Sequence, residues 1–246
     1  MVVDDDTEII NYMRVLFSRE YRLTTCLDAD SALQSLRKEE PNIVLSDVAM
    51  PGKDGYELCR EIKQDMQLSH IPVILVTAKV TPENQVEGLN VGADAYVTKP
   101  FEPSVLQALI QSQLKNRERL RNVLGKSTTT TQVEEAEEVL SEYDKKFMDE
   151  LYKLMEEELS NTELNINRIT DLLYMSRTKL YYKIKGLTGE TPSSFFRTYK
   201  LNRAAELLKS GKYTVSEIVD KTGFSTQSHF SSVFKSKFGV SPSQYK

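Results

Sequence analysis

The feature that most constrains this chain is an alternation in its first half. Five short apolar runs, at 1–3, 23–27, 43–46, 73–76 and 95–97, are separated by stretches whose apolar residues recur at helical spacing, at 8–18, 31–38, 56–66 and 82–91. Strands covered on both faces read as continuous apolar runs, and parallel strands need a crossover segment between them. The alternation therefore predicts an α/β fold, a five-stranded parallel doubly wound sheet of strand order 2-1-3-4-5. A closing helix begins near Pro103 with Leu106, Ile110 and Leu114 on one stripe, and is expected to run on through Leu120 and Leu124.

The rest of the chain has a different grain. GKSTTTT at 125–131 is a poor core builder and reads as a flexible linker. An acidic helix is expected over 133–159, with Leu140, Phe147, Leu151 and either Met155 or Leu154 on one side. From Asn165 onward the pattern is all helical. Two segments look alike, INRITDLLYMSRTKLYYKIKGLTG and VSEIVDKTGFSTQSHFSSVFKSKFG. Each reads as a short helix, a turn, a Ser/Thr cap and a second helix. Pro192 and Gly211 bracket a longer helix between them. The expected division is 1–120, a linker at 121–144, and a separate all-α domain at 145–246.

Charge divides the chain in the same way. The net charge is −4, but residues 162–246 carry 14 Lys/Arg against 6 Asp/Glu, and residues 1–115 carry 11 against 18. A basic last third joined to an acidic first half points to nucleic acid as a partner of the former. No apolar run approaches the ~20 residues of a membrane helix, and no signal-peptide pattern opens the sequence. Cys26 and Cys59 suit a reducing, cytoplasmic setting better than a disulfide or zinc site.

In an open parallel sheet, ligands bind beyond the carboxyl ends of the strands. Asp4, Asp5 and Asp6 follow the first apolar run, Asp47 the third, Thr77 the fourth, and Lys99 with Pro100 the fifth. Crowded carboxylates call for a hard cation such as Mg²⁺. An aspartate beside that cation can accept a phosphoryl group, whose oxygens a lysine and a hydroxyl can hold.

The segments VVDDD, LSDVAMPGKDGYEL, VILVTA and GADAYVTKPF resemble the signature segments of response-regulator receiver domains. The resemblance implies that Asp47 is the phosphoacceptor, and that Asp4, Asp5, Asp47 and the carbonyl of Ala49 bind Mg²⁺. It further implies that Thr77 and Lys99 sense the phosphate, that Tyr96 is the aromatic switch, and that the Lys99–Pro100 bond is cis. Receivers usually carry more apolar residues before the acidic pair. The short first strand is therefore expected to cost stability, as it would in a piece of a longer chain.

In the basic third, Leu180, Ile184, Leu187, Phe230, Phe234 and Phe238 are expected in the core. Arg177, Thr178, Tyr181, Tyr182 and Lys185 are expected on the open face of one helix. Gln227, Ser228, Ser231, Ser232, Lys235 and Lys237 are expected on that of the other. The segments MSRTKLYYKIKGLTGETPSSFFRTYKLNRAAELL and TVSEIVDKTGFSTQSHFSSVFKSKFGVSPSQY resemble the AraC/XylS-type double helix-turn-helix domain. This likeness implies base contacts from Thr178, Tyr181, Tyr182, Gln227, Ser228, Ser231 and Ser232, with lysines on phosphates.

Together the two likenesses imply a phosphorylation-switched transcription factor, not an enzyme, similar to the C-terminal part of hybrid two-component regulators. Its expected partners are double-stranded DNA, a sensor histidine kinase (a separate protein or an upstream part of the same chain), RNA polymerase and, when phosphorylated, a second copy of itself. Pairing is expected to extend along Leu114, Leu120 and Leu124. Two other readings are an aspartate-nucleophile phosphotransferase or phosphatase, and a constitutive DNA-binding protein with an inactive receiver.

Overall fold

A computed structural model describes residues 1–78, 81–124 and 140–245. The chain forms two compact units, Met1–Arg119 and Leu120–Lys246.

The first unit holds β1 (Val2–Val3), α1 (Thr7–Phe17), β2 (Thr25–Cys26), α2 (Ala29–Leu36), β3 (Val44–Ser46), α3 (Gly55–Gln64), β4 (Val73–Thr77), α4 (Pro82–Asn90) and β5 (Ala95–Thr98). It also holds most of α5 (Pro103–Leu124). The five strands are all parallel, in the order β2-β1-β3-β4-β5. β1 lies inside the sheet although it is only two residues long. Its ladder is extended by Val2 N–H on Thr24 O at 2.9 Å and by Asp47 N–H on Val3 O at 2.8 Å. One face buries Val3, Val44 and Leu75 against α2 and α3; the other buries Val2, Leu45, Ile74 and Val76 with Met13, Phe17, Leu106 and Ile110. Successive strand residues point to opposite faces, and the apolar ones are covered by helices on both sides.

Each crossover helix begins where an acidic or hydroxyl side chain accepts an otherwise unpaired N–H of its first turn. The capping residues are Asp6, Asp28, Asp54 and Thr81. Asp6, third of the acidic triplet, is thus spent on a cap.

The second unit holds α6 (Glu142–Glu157), α7 (Ile166–Leu172), α8 (Arg177–Thr188), α9 (Pro192–Ser210), α10 (Val215–Lys221) and α11 (Gln227–Phe238). A short 3-10 helix, Pro242–Gln244, closes it. The acidic helix starts later than its periodicity suggested, because Ser141 caps it and leaves Leu140 outside the helix. The linker reading at 125–131 and the stretch 133–139 lie outside the described residues.

Two clusters fill this unit. Phe147, Leu151 and Met155 of α6 pack with Ile169, Leu180, Ile184 and Leu187. Ile218, Val219, Phe230 and Phe234 pack with Leu201 and Ala204 of α9. The last turn of α5 also belongs here: Leu124 is fully buried and Leu120 partly buried in the first of these clusters, and Arg121 Nε donates to Gly186 O at 3.1 Å. This corrects the expectation that Leu120 and Leu124 lie open for pairing. Leu114 packs in the first unit's core.

Lys183 of α8 is entirely buried, with its ammonium on the buried carboxylate of Asp144 in the first turn of α6 and 5.7 Å from the centre of the Phe147 ring.

Candidate functional site

Because the strands run parallel, the residues that follow them gather along one edge of the sheet. Asp4, Asp47 and Lys99 come directly after β1, β3 and β5, and Thr77 is the last residue of β4. One carboxylate oxygen from each of Asp4, Asp5 and Asp47 lies within 4.8 Å of the others. Asp4 and Asp47 are buried, and Asp5 is exposed. Lys99 Nζ donates to Asp4 Oδ2 at 2.7 Å and lies 3.4 Å from Asp47 Oδ1.

Asp47 Oδ1 is buried and makes no hydrogen bond. Burial pushes the Asp4 carboxyl above the usual aspartate range, and the hydrogen bond from Lys99 opposes that shift. Oxygen ligands, one of them unsatisfied, with a half-open side at Asp5, fit a hard divalent cation. Ala49, whose carbonyl is the fourth expected ligand, is exposed beside them.

Two features of this edge were not foreseen from the residue pattern. A Cβ on Gly55 would stand 2.1 Å from Asp47 O, so only glycine lets α3 begin this close under the loop that carries Asp47. The signal was present as the second glycine of PGKDGYEL. Tyr56 is the other. Its hydroxyl donates to Asn84 O at 3.0 Å and sits 3.4 Å from the Tyr96 hydroxyl. Tyr96 is half-buried, its ring so close to α4 that a Cβ on Gly88 would stand 2.7 Å from it. Thr77 is fully buried. The Lys99–Pro100 bond is cis.

The second unit repeats one local design. In α8, Ser176 accepts the Lys179 N–H; in α11, Thr226 accepts the His229 N–H. Both helices end at a left-handed glycine, Gly189 and Gly239. Leu180, Ile184, Leu187, Phe230 and Phe234 are buried and Phe238 is partly buried. Arg177, Thr178, Lys185, Gln227, Ser228, Ser232, Lys235 and Lys237 are exposed, while Tyr181, Tyr182 and Ser231 are half-buried. The tyrosines depart from a fully open face because their rings meet edge to face, 5.5 Å between centres. α9 between the two helices has 19 residues, so it is ~28 Å long at ~1.5 Å per residue. That compares with ~34 Å for one turn of DNA.

Among the described residues, no helix is long and apolar enough to cross a membrane.

Comparison with known proteins agrees with this geometry. Residues 1–111 match the family described as response regulator receiver domain, and residues 169–246 match a helix-turn-helix domain family. The whole chain is 33% identical over 246 residues to "Histidine kinase P4" of Formosa agariphila, and covers 18% of that protein. Over 129 residues, 51% of this chain and 51% of the relative, it is 38% identical to "Probable transcriptional regulator ycf27" of Pyropia yezoensis. The chain therefore spans about a fifth and about half of these relatives. Among solved structures, a putative response regulator from Chloroflexus aurantiacus is 30% identical, with a TM-score of 0.45, over 46% of this chain and 94% of that one.

Proposed function

We propose, from the premise that this chain joins a response regulator receiver domain at 1–111 to an AraC-type helix-turn-helix domain at 169–246, that it is a two-component response regulator. In this reading it is a sequence-specific DNA-binding transcription factor switched by phosphorylation of Asp47, and not an enzyme acting on an outside substrate. The working modules are 1–120 and 145–246, joined through 121–144.

The observation that carries the reading is Asp47 Oδ1, buried beside Asp4 and Lys99 without a hydrogen-bond partner. Its cationic neighbour, Lys99 Nζ, is 3.4 Å away and hydrogen-bonds Asp4 instead, so this oxygen has an ion-pair neighbour but no hydrogen bond. A site that keeps such an oxygen is set up for a ligand that is only sometimes present.

The chemistry follows from the side chains. An Asp47 carboxylate oxygen attacks the phosphorus of a phosphohistidine on a sensor kinase. An O–P bond forms, the N–P bond breaks, and the departing imidazole nitrogen takes a proton from solvent. Asp4, Asp5, Asp47 and the carbonyl of Ala49 would hold Mg²⁺, which when bound would supply positive charge for this approach. Lys99 leaves Asp4 for a phosphoryl oxygen, and the Thr77 hydroxyl donates a hydrogen bond to another. Tyr96 follows Thr77 inward and carries the change to the α4 surface. The exposed Val86 and Leu89 of that helix support its use in pairing two copies.

In the second unit, Arg177, Thr178, Tyr181, Tyr182, Gln227, Ser228, Ser231 and Ser232 are read as meeting base edges, and Lys235 and Lys237 as meeting phosphates. RNA polymerase is the partner through which such binding changes transcription.

Acetyl phosphate with Mg²⁺ is expected to add one acid-stable, base-labile phosphoryl group. Chelation of the cation should prevent it, and Asp47→Ala should not be labelled. Label retained in Asp47→Ala overturns the assignment.

A further inference from the structure

Tyr56 is the second residue of α3, and its backbone is tied to the loop that carries Asp47. Gly55 N–H donates to Val48 O at 3.0 Å, and a Cβ on Gly55 would meet Asp47 O at 2.1 Å. Asp54 and Glu57 close a capping box around the same turn. The start of α3 is therefore fixed to the phosphoacceptor loop.

The Tyr56 side chain runs from this anchor to two other elements. It is 3% exposed. Its hydroxyl reaches α4 through Asn84 O at 3.0 Å, and β5 through the Tyr96 hydroxyl at 3.4 Å. A tyrosine hydroxyl has one proton to give and can accept besides. Asn84 O is a carbonyl and can only accept, so the Tyr56 proton goes there. Tyr96 must then donate, and Tyr56 receive. Burial, with the Tyr96 hydroxyl beside it, pushes the Tyr56 hydroxyl above the usual tyrosine range, so its proton stays in place.

The contact from Tyr96 is longer than the ~2.7–2.8 Å typical of an O–H···O bond, and so has room to shorten. The ring is seated for that movement. It lies on the bare backbone of α4, where a Cβ on Gly88 would stand 2.7 Å from its Cδ2. It already leans on the core cluster that contains Tyr56 and Leu75.

We infer that the Tyr56 hydroxyl is the acceptor on which Tyr96 closes when Asp47 is phosphorylated, and that it joins the inward ring to the first turn of α4 through Asn84. The inference rests on the reading of Tyr96 as the aromatic that follows Thr77. Tyr56 is then a positioning residue, outside the set that holds the phosphoryl group and the cation. It gives the moving ring a fixed polar end point, on a helix that the Asp47 loop holds still. Without that acceptor the Tyr96 hydroxyl would enter the core unpaired, and an unpaired buried hydroxyl disfavours the inward position.

The test uses the full chain, beryllium fluoride with Mg²⁺ as the phosphoryl mimic, and a duplex selected by the chain from a random pool. The quantity read is the ratio of DNA affinities with and without the mimic. Tyr56→Phe removes one oxygen and keeps the ring. Asn84 O keeps the N–H that helix geometry brings it from residue 88, so the fold is retained. Acetyl phosphate should still label the variant. The ratio should fall roughly three- to tenfold, the worth of one hydrogen bond. Tyr96→Phe should lower it to the same degree and the double variant no further, because the two hydroxyls make one bond.

An unchanged ratio in Tyr56→Phe overturns the proposal. Losses that add in the double variant overturn it too, since groups that act apart are not donor and acceptor of one bond. Tighter DNA binding by Tyr56→Phe without the mimic overturns it in the opposite sense, because the hydroxyl would then hold the resting state. If the unaltered chain does not respond to the mimic, the phosphorylation reading fails and this inference with it. If it responds and Tyr56→Phe responds equally, that reading stands and Tyr56 has no part in it.

Discussion

Lys99 Nζ and Asp4 Oδ2, 95 residues apart in the chain, form a 2.7 Å ion pair across the carboxyl edge of the sheet. The pair puts the lysine in the place where a cation would act, on the same carboxylates that a divalent ion would need. Lysine and metal therefore compete for Asp4, and a phosphoryl group on Asp47 would settle the competition by giving Lys99 another anion.

Lys99→Met should accordingly bind Mg²⁺ more tightly, by up to about tenfold, ~1.4 kcal/mol. The same variant should lose the response of the α4 surface to beryllium fluoride. Calorimetric titration with Mg²⁺ measures the first, and amide chemical shifts the second. Weaker Mg²⁺ binding in Lys99→Met would show that the lysine supports the metal site and does not oppose it.

DNA binding should divide into two mutational classes. Tyr182→Ala and Gln227→Ala are expected to cost roughly 1–3 kcal/mol on the specific site and little on random DNA. Lys235→Ala should weaken both and reduce the salt slope by about one phosphate. Fluorescence anisotropy on specific and random duplexes separates the classes; equal effects from all three changes would erase the distinction.

The buried pair between Lys183 and Asp144 pins the first turn of α6 to the back of α8. Asp144→Ala should destabilise the second unit by about 3–5 kcal/mol, because it strands a buried ammonium. Lys183→Met with Asp144→Leu should recover most of that loss, since two apolar groups need no partner. Urea unfolding of the full chain, followed through the second unit's transition, compares the single and double variants. A double variant no more stable than Asp144→Ala would refute the account.

Tyr174 occupies the left-handed region at φ +52°, and its side chain is 96% exposed. The equivalent turn of the second half has Gly223 there, at φ +61°. A left-handed residue with a Cβ costs about 1–2 kcal/mol, and no packing is lost by removing an exposed ring. Tyr174→Gly should therefore stabilise the unit by up to about 1 kcal/mol, part of the gain being offset by glycine's larger unfolded-state entropy. A drop in thermal midpoint would mean that the tyrosine makes a contact worth more than its strain.

Much of the first unit was legible before any coordinates. The five apolar runs became the five strands, in the predicted order. Asp4, Asp47, Thr77 and Lys99 share one edge because each stands at the carboxyl end of a parallel strand. In the second unit, period 3.6 correctly separated buried Leu180, Ile184 and Phe234 from their polar neighbours. It had nothing to say of Lys183, which is buried against Asp144, 39 residues away in the chain. It failed at Leu120 and Leu124. Their stripe was visible, but what would cover it was not.

The sequence by itself determined the local pattern: which segments extend, which coil, where each helix is capped, and which residues stand at strand ends. Those follow from backbone geometry and side-chain period within a window of a dozen residues. Only the tertiary structure decided which charges are paired. It gave Lys99 to Asp4 and Lys183 to Asp144. The physical reason is that a charge's partner is set by what packing brings within a few ångströms, often from far along the chain, and distance along a sequence carries no measure of that.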